Sequence, residues 1–105
     1  MFTGDEDHEI SYAAAAELTA NYRAQFSPTT SYIKGEYFGK TALLSVLNQT
    51  DCVGMRIYYG LNSENIPKLV LVGVNANEDD QVTGNILDYG TPCPPICGSA
   101  NDLNS

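Results

Sequence analysis

The 105-residue sequence has no tryptophan, one histidine, three cysteines and only five basic residues. Each shortage closes off a class of function. Five Lys and Arg against thirteen Asp and Glu give a formal charge of -8. The mean field therefore repels phosphate backbones and anionic lipid surfaces, and neither nucleic acid nor membrane is expected as a partner. No run approaches the roughly 18 apolar residues that span a bilayer. The opening Met1-Phe2-Thr3-Gly4-Asp5-Glu6-Asp7 lacks the positive segment and apolar stretch of a secretory signal. An odd number of cysteines fits a reducing compartment better than a disulfide scaffold, so a cytoplasmic location is expected. The lone His8 lies in an acidic end, away from any group that could hold it as a catalytic base. No carboxylate pair, Glu17 with Glu36 included, has a spacing that marks acid-base chemistry. The chain carries no enzyme signature and no cofactor motif.

What is present is a folding pattern. Apolar residues make up 43% and charged residues 17%, which suits one globular domain over residues 1-105. From Ile10 to Phe26 good helix formers include four consecutive alanines, with Ile10, Leu18, Tyr22 and Phe26 spaced by fours and eights. Ser11 suits the N-cap and Ser27-Pro28 the stop. Thr29 to Gly39 reads as a connector with a short extended piece at Tyr32 to Lys34. A second helix is expected from Lys40 to about Gln49, burying Leu43, Leu44 and Leu47.

The remainder is strand-like. Cys52 to Tyr59 alternates, with Val53, Met55, Ile57 and Tyr59 on an expected buried face and Arg56 and Tyr58 opposite. Lys68 to Val74 is apolar on both faces, the pattern of a central strand. The polar loop Gly60 to Pro67 joins the two as an antiparallel pair. A third strand is expected near Val82 to Tyr89, and an irregular tail from Gly90. The fold class is α+β, with two N-terminal helices packed on one face of an antiparallel sheet of about three strands. If Val70, Val72 and Val74 face away from the helices, the tail or a second copy of the chain must cover them.

Two motifs fail at their strict positions. Gly35-Glu36-Tyr37-Phe38-Gly39-Lys40-Thr41 ends like a phosphate-binding loop but is one residue short between its glycines. Gly39 is better read as the turn into the second helix. Asn75 to Gln81 alternates oxygen-bearing side chains like a calcium loop, yet Asp80 stands where glycine is required and Ile86 where glutamate is required. A polar turn explains it better.

Cys93-Pro94-Pro95-Ile96-Cys97 is the most unusual segment. Residues before proline are pushed to extended conformations. An extended segment would hold the two Cα atoms roughly 12 Å apart, and a disulfide needs them within about 7 Å. A bridge therefore needs a tight turn, most simply through a cis proline at Pro94 or Pro95. Three readings stay open: Cys93 or Cys97 packs as a small apolar group, a disulfide forms locally or with Cys52, or Cys52, Cys93 and Cys97 bind a metal without an evident fourth ligand. Seven tyrosines, among them Tyr37 and Tyr58 beside Arg56, suit protein contact.

The segments Ile33-Lys34-Gly35-Glu36-Tyr37-Phe38-Gly39-Lys40, Gly54-Met55-Arg56-Ile57-Tyr58-Tyr59-Gly60-Leu61, Leu69 to Asn77 and the Cys-Pro-Pro-Ile-Cys ending resemble a family of small uncharacterised bacterial proteins. The resemblance spans most of the chain after Ile10 and implies no activity, cofactor or site residue. The expected function is a non-catalytic module that self-associates or docks on a protein partner through its sheet and tyrosines. The alternative is a cysteine-centred redox or metal protein.

Overall fold

A computed structural model describes residues 1-26 and 33-104. Its elements run α1 (Tyr12–Phe26), β1 (Gly35–Tyr37), α2 (Lys40–Leu47), β2 (Cys52–Leu61), β3 (Pro67–Asn75), β4 (Ile86–Leu87) and β5 (Thr91–Cys93), an α+β arrangement. The Ser11 hydroxyl accepts the Ala14 N–H at 3.0 Å and caps α1. The Ser27-Pro28 stop and Tyr32 lie outside the described residues, and extended structure begins at Gly35. No helix among the described residues is long and apolar enough to cross a membrane.

β2 and β3 form an antiparallel hairpin, in register from Gly54 opposite Val74 to Leu61 opposite Pro67. β4 pairs on the other side of β3, so the strand with two apolar faces is central. Two turns of one design hold this sheet. The Asn62 side-chain oxygen accepts the N–H of Glu64 and Ile66, and that of Asn75 accepts the N–H of Asn77 and Asp79. Three residues after each asparagine the chain turns left-handed, at Asn65 (φ 62°) and Glu78 (φ 71°).

Several expectations need correction. The third strand shrinks to Ile86–Leu87 because the chain before it is drawn to α2. There the Asn85 N–H donates to Gln49 Oε1 at 2.6 Å and the Asn85 amide to the Ser45 carbonyl. The tail is not wholly irregular: Thr91–Cys93 pairs with Gly35–Tyr37 in a separate two-stranded sheet, Glu36 opposite Pro92. Proline is tolerated there because a two-stranded sheet is all edge. In α2 the buried residue is Val46, with Ala42 and Leu43 half-buried, Gln49 half-buried in the turn just past the helix, and Leu44 and Leu47 exposed. The buried face follows the spacing 42, 46, 49 and not the size of the leucines.

The core is Val46, Leu71, Val72 and Val74. α2 meets the face carrying Gly73, where a Cβ would stand 3.0 Å from Gln49 Nε2. The opposite face, left open by the sequence to the tail or a second copy, is met by the N-terminal segment. The Phe2 N–H donates to the Ala76 carbonyl at 3.0 Å, Gly4 (φ 87°) lies against Val53, and the Arg56 guanidinium stands 5.9 Å over the Phe2 ring. The Glu6 carboxylate accepts the N–H of Thr3 and Gly4 and fixes the turn that brings this segment round.

Helix and strand lengths decide what stays open. Eight residues of α2 extend about 12 Å. Ten residues of β2 extend about 33 Å. Ile57 and Tyr59, expected to be buried beside Met55, therefore emerge beyond the helix with 51% and 93% of their surface exposed. α1 passes over that end of the molecule with none of its residues buried. It is tied to the C-terminal turn: Tyr12 Oη accepts the Asp102 N–H, and Arg23 Nη1 donates to the Leu103 carbonyl, both at 2.9 Å.

Candidate functional site

The candidate contact residues Arg56 and Tyr58 come together, but they are turned on the protein itself. Two apart on β2, they share a face, and the turn after β3 brings Asp80 opposite Val74 on that face. Arg56 Nη1 donates to Asp80 Oδ1 and the Tyr58 hydroxyl to Asp80 Oδ2, each at 2.5 Å. Hydrogen bonds from Tyr58 and then Arg56 hold the Asp80 carboxyl below its usual range. The same bond to Asp80 favours the protonated Tyr58 hydroxyl and pushes its pKa up, helped by burial. The calcium-like loop is thereby accounted for, since its Asn75 and Asp80 oxygens serve the backbone and this latch. Tyr37 lies apart, exposed on the two-stranded sheet.

The structure also separates the cysteines. Cys93 and Cys97 form a disulfide with Cα atoms 4.7 Å apart, and both the Cys93-Pro94 and Pro94-Pro95 bonds are cis. The Ile96 N–H donates to the Pro92 carbonyl at 3.1 Å and closes the turn. Cys52 is a free thiol on the other sheet and donates to the Gly54 carbonyl. Among the described residues no group of three or more His, Cys, Asp or Glu side chains converges to hold a metal.

Two features remain accessible. The first is the outer edge of β2, which has no strand partner among the described residues. Near Val53 the N-terminal segment lies against it. Further on, Ile57-Tyr58-Tyr59-Gly60-Leu61 is uncharged and carries exposed Ile57, Tyr58, Tyr59 and Leu61. Natural edge strands usually carry charges or bulges that discourage pairing, and this stretch has neither. Its one register irregularity lies back at Cys52/Gly54.

The second feature is a cavity of about 330 Å³ beyond the end of α2. Its apolar wall includes Leu18 and Tyr22 of α1, Ile33, Leu69 of β3 and Leu103. Glu36 of β1 also lines it, and Glu36 Oε1 accepts the Leu69 N–H at 2.8 Å. Spacing could not reveal Glu36 in this role, because its partner is 33 residues away. Comparison with protein-family models, with curated proteins and with solved structures finds no match.

Proposed function

We propose that this domain is a non-catalytic interaction module that takes an extended segment of a protein partner along the outer edge of β2. The observation that carries the reading is the uncharged, exposed stretch Ile57–Leu61 on a strand whose outer side has no pairing partner among the described residues. Strand addition draws affinity from main-chain hydrogen bonds and specificity from alternate side chains, here Ile57, Tyr59 and Leu61. A chain of charge -8 favours a partner strand flanked by basic residues. The Arg56-Asp80-Tyr58 latch supports the edge from behind and is not itself the contact.

The Cys93–Cys97 bridge favours an oxidising compartment, since disulfides seldom persist in the cytosol. In this reading it fastens β5 and the tail and is not a redox centre.

The test uses a synthetic Thr-Val-Thr-Val peptide flanked by lysines, followed by calorimetry and hydrogen exchange. Saturable binding with slowed exchange across Ile57–Leu61 is expected, and Ile57→Lys with Tyr59→Lys abolishes it. Tyr59 is 93% and Ile57 51% exposed, so the variant stays folded, with a thermal midpoint lowered by no more than a few degrees. Absence of binding, or equal protection in the variant, overturns the reading. Light scattering that gives a dimer lost in the same variant assigns the edge to a second copy instead.

A further inference from the structure

The chain has five basic residues, and three of them, Arg23, Lys34 and Lys68, line the same cavity. Against the single acid there, Glu36, the lining carries a net charge of +2 (three cations less one carboxylate) on a protein of charge -8. Two of the cationic heads are gathered at one rim by consecutive backbone carbonyls. Arg23 Nη1 donates to Leu103 at 2.9 Å, Arg23 Nη2 to Asp102 at 3.5 Å, and Lys34 Nζ to Asn104 at 2.6 Å. These acceptors are neutral, so they orient the heads without cancelling their charge. A guanidinium has five N–H donors and an ammonium three, which leaves donors over at both. Among the described residues the ion pairs are Met1 with Glu78 and Arg56 with Asp80, and neither involves this rim. Leu18, Ile33, Pro67, Leu69 and Leu103 make up the apolar part of the wall, beside the hydroxyl-bearing Thr19, Tyr22 and Tyr59.

We infer that this cavity is a binding site for a small apolar carboxylate, its alkyl or aryl body held against Leu18, Ile33 and Leu69 and its head at Arg23 and Lys34. The volume of about 330 Å³ is at the small end of the range for ligand pockets. Charge complementarity selects the anion, and the wall selects an apolar body. The site shares Tyr59 and Gly60 with the exposed stretch of β2, but it holds its ligand at Arg23, Lys34 and the Leu18 wall, so octanoate binding and strand addition are read out by separate experiments.

Titration calorimetry of the full chain with hexanoate, octanoate and decanoate tests it, with 1-octanol and octylammonium as comparators. Affinity for the carboxylates is expected to rise about fourfold per methylene until the chain fills the cavity. Octanoate is expected to bind at least about tenfold tighter than 1-octanol, and Arg23→Gln to lose about tenfold for octanoate. Leu18→Glu places a carboxylate in the wall at a 63% exposed position, so it tests the site even where Arg23→Gln unsettles the C-terminal turn. It too is expected to weaken octanoate at least about tenfold. Binding of 1-octanol or octylammonium as tight as octanoate, affinity independent of chain length, or octanoate binding unchanged in Leu18→Glu overturns the assignment.

Discussion

Replacing Glu36 by alanine is expected to destabilise the domain through an N–H 33 residues away. β4 pairs with Leu71 and Val72 of β3 and goes no further, so Leu69 looks past its end. Glu36 Oε1 accepts the Leu69 N–H at 2.8 Å, while Oε2 is buried without a hydrogen-bond partner. A hydrogen bond to a charged group contributes about 1.5–3 kcal/mol. The desolvated second oxygen offsets part of that, so a net loss of about 1.5 kcal/mol is expected for Glu36→Ala. For a domain of this size that corresponds to a fall of about 6 °C in thermal midpoint. Glu36→Gln keeps an acceptor oxygen and removes the buried charge, so it should fall within about 0.5 kcal/mol of the parent. Urea unfolding followed by circular dichroism measures both, and hydrogen exchange at Leu69 localises the effect. A Glu36→Ala midpoint equal to the parent's refutes the reasoning. A Glu36→Gln loss as large as that of Glu36→Ala shows that charge, and not the acceptor, is what matters.

Four further outcomes are expected. Gly73→Ala places a Cβ 2.6 Å from Gln81 Oε1 and 3.1 Å from Cys52 Sγ, and overpacking of that kind costs about 1–3 kcal/mol, readable as a lower urea midpoint. Asp80 is held below its usual pKa and Tyr58 above its own. The Asp80 contribution is therefore present above about pH 3.9 and fades as pH falls, and the Tyr58 contribution is present below about pH 10 and fades as pH rises. Thermal midpoints across that range should show both flanks in the parent and flatter ones in Asp80→Asn. Finally, alkylation in denaturant should add one label, on Cys52, before reduction and three after it. Cys97→Ser should lower stability by about 2 kcal/mol, the value for so short a closed loop.

What the sequence made legible was local. Ser11 marks the start of α1 because a cap acts on an N–H three residues away, and the two-faced apolar run of β3 follows from burial on both sides. The Cys93–Cys97 geometry was legible as a condition, a tight turn, which the two cis prolines and the 4.7 Å separation meet. What stayed hidden depends on distant partners. Nothing in an acidic N-terminus announces that Phe2 will lie under Arg56. Thr91–Cys93 gave no strand signal because its proline is acceptable only on an edge. In the candidate site, strand alternation puts Arg56 and Tyr58 on one face, but the acid that engages them comes from the far side of β3.

The shortness of α2 has a mechanical consequence for the hairpin. At its Cys52 and Val74 end the hairpin is gripped from both sides, by α2 and by the N-terminal segment. At its Leu61 and Pro67 end it projects like a beam fixed at one support, steadied by Glu36 and by α1 across the cavity. Displacement is therefore greatest at the free end, where Tyr59 lines the cavity and also lies on the exposed stretch of β2. A load on one of these features reaches the other through the same few residues of strand.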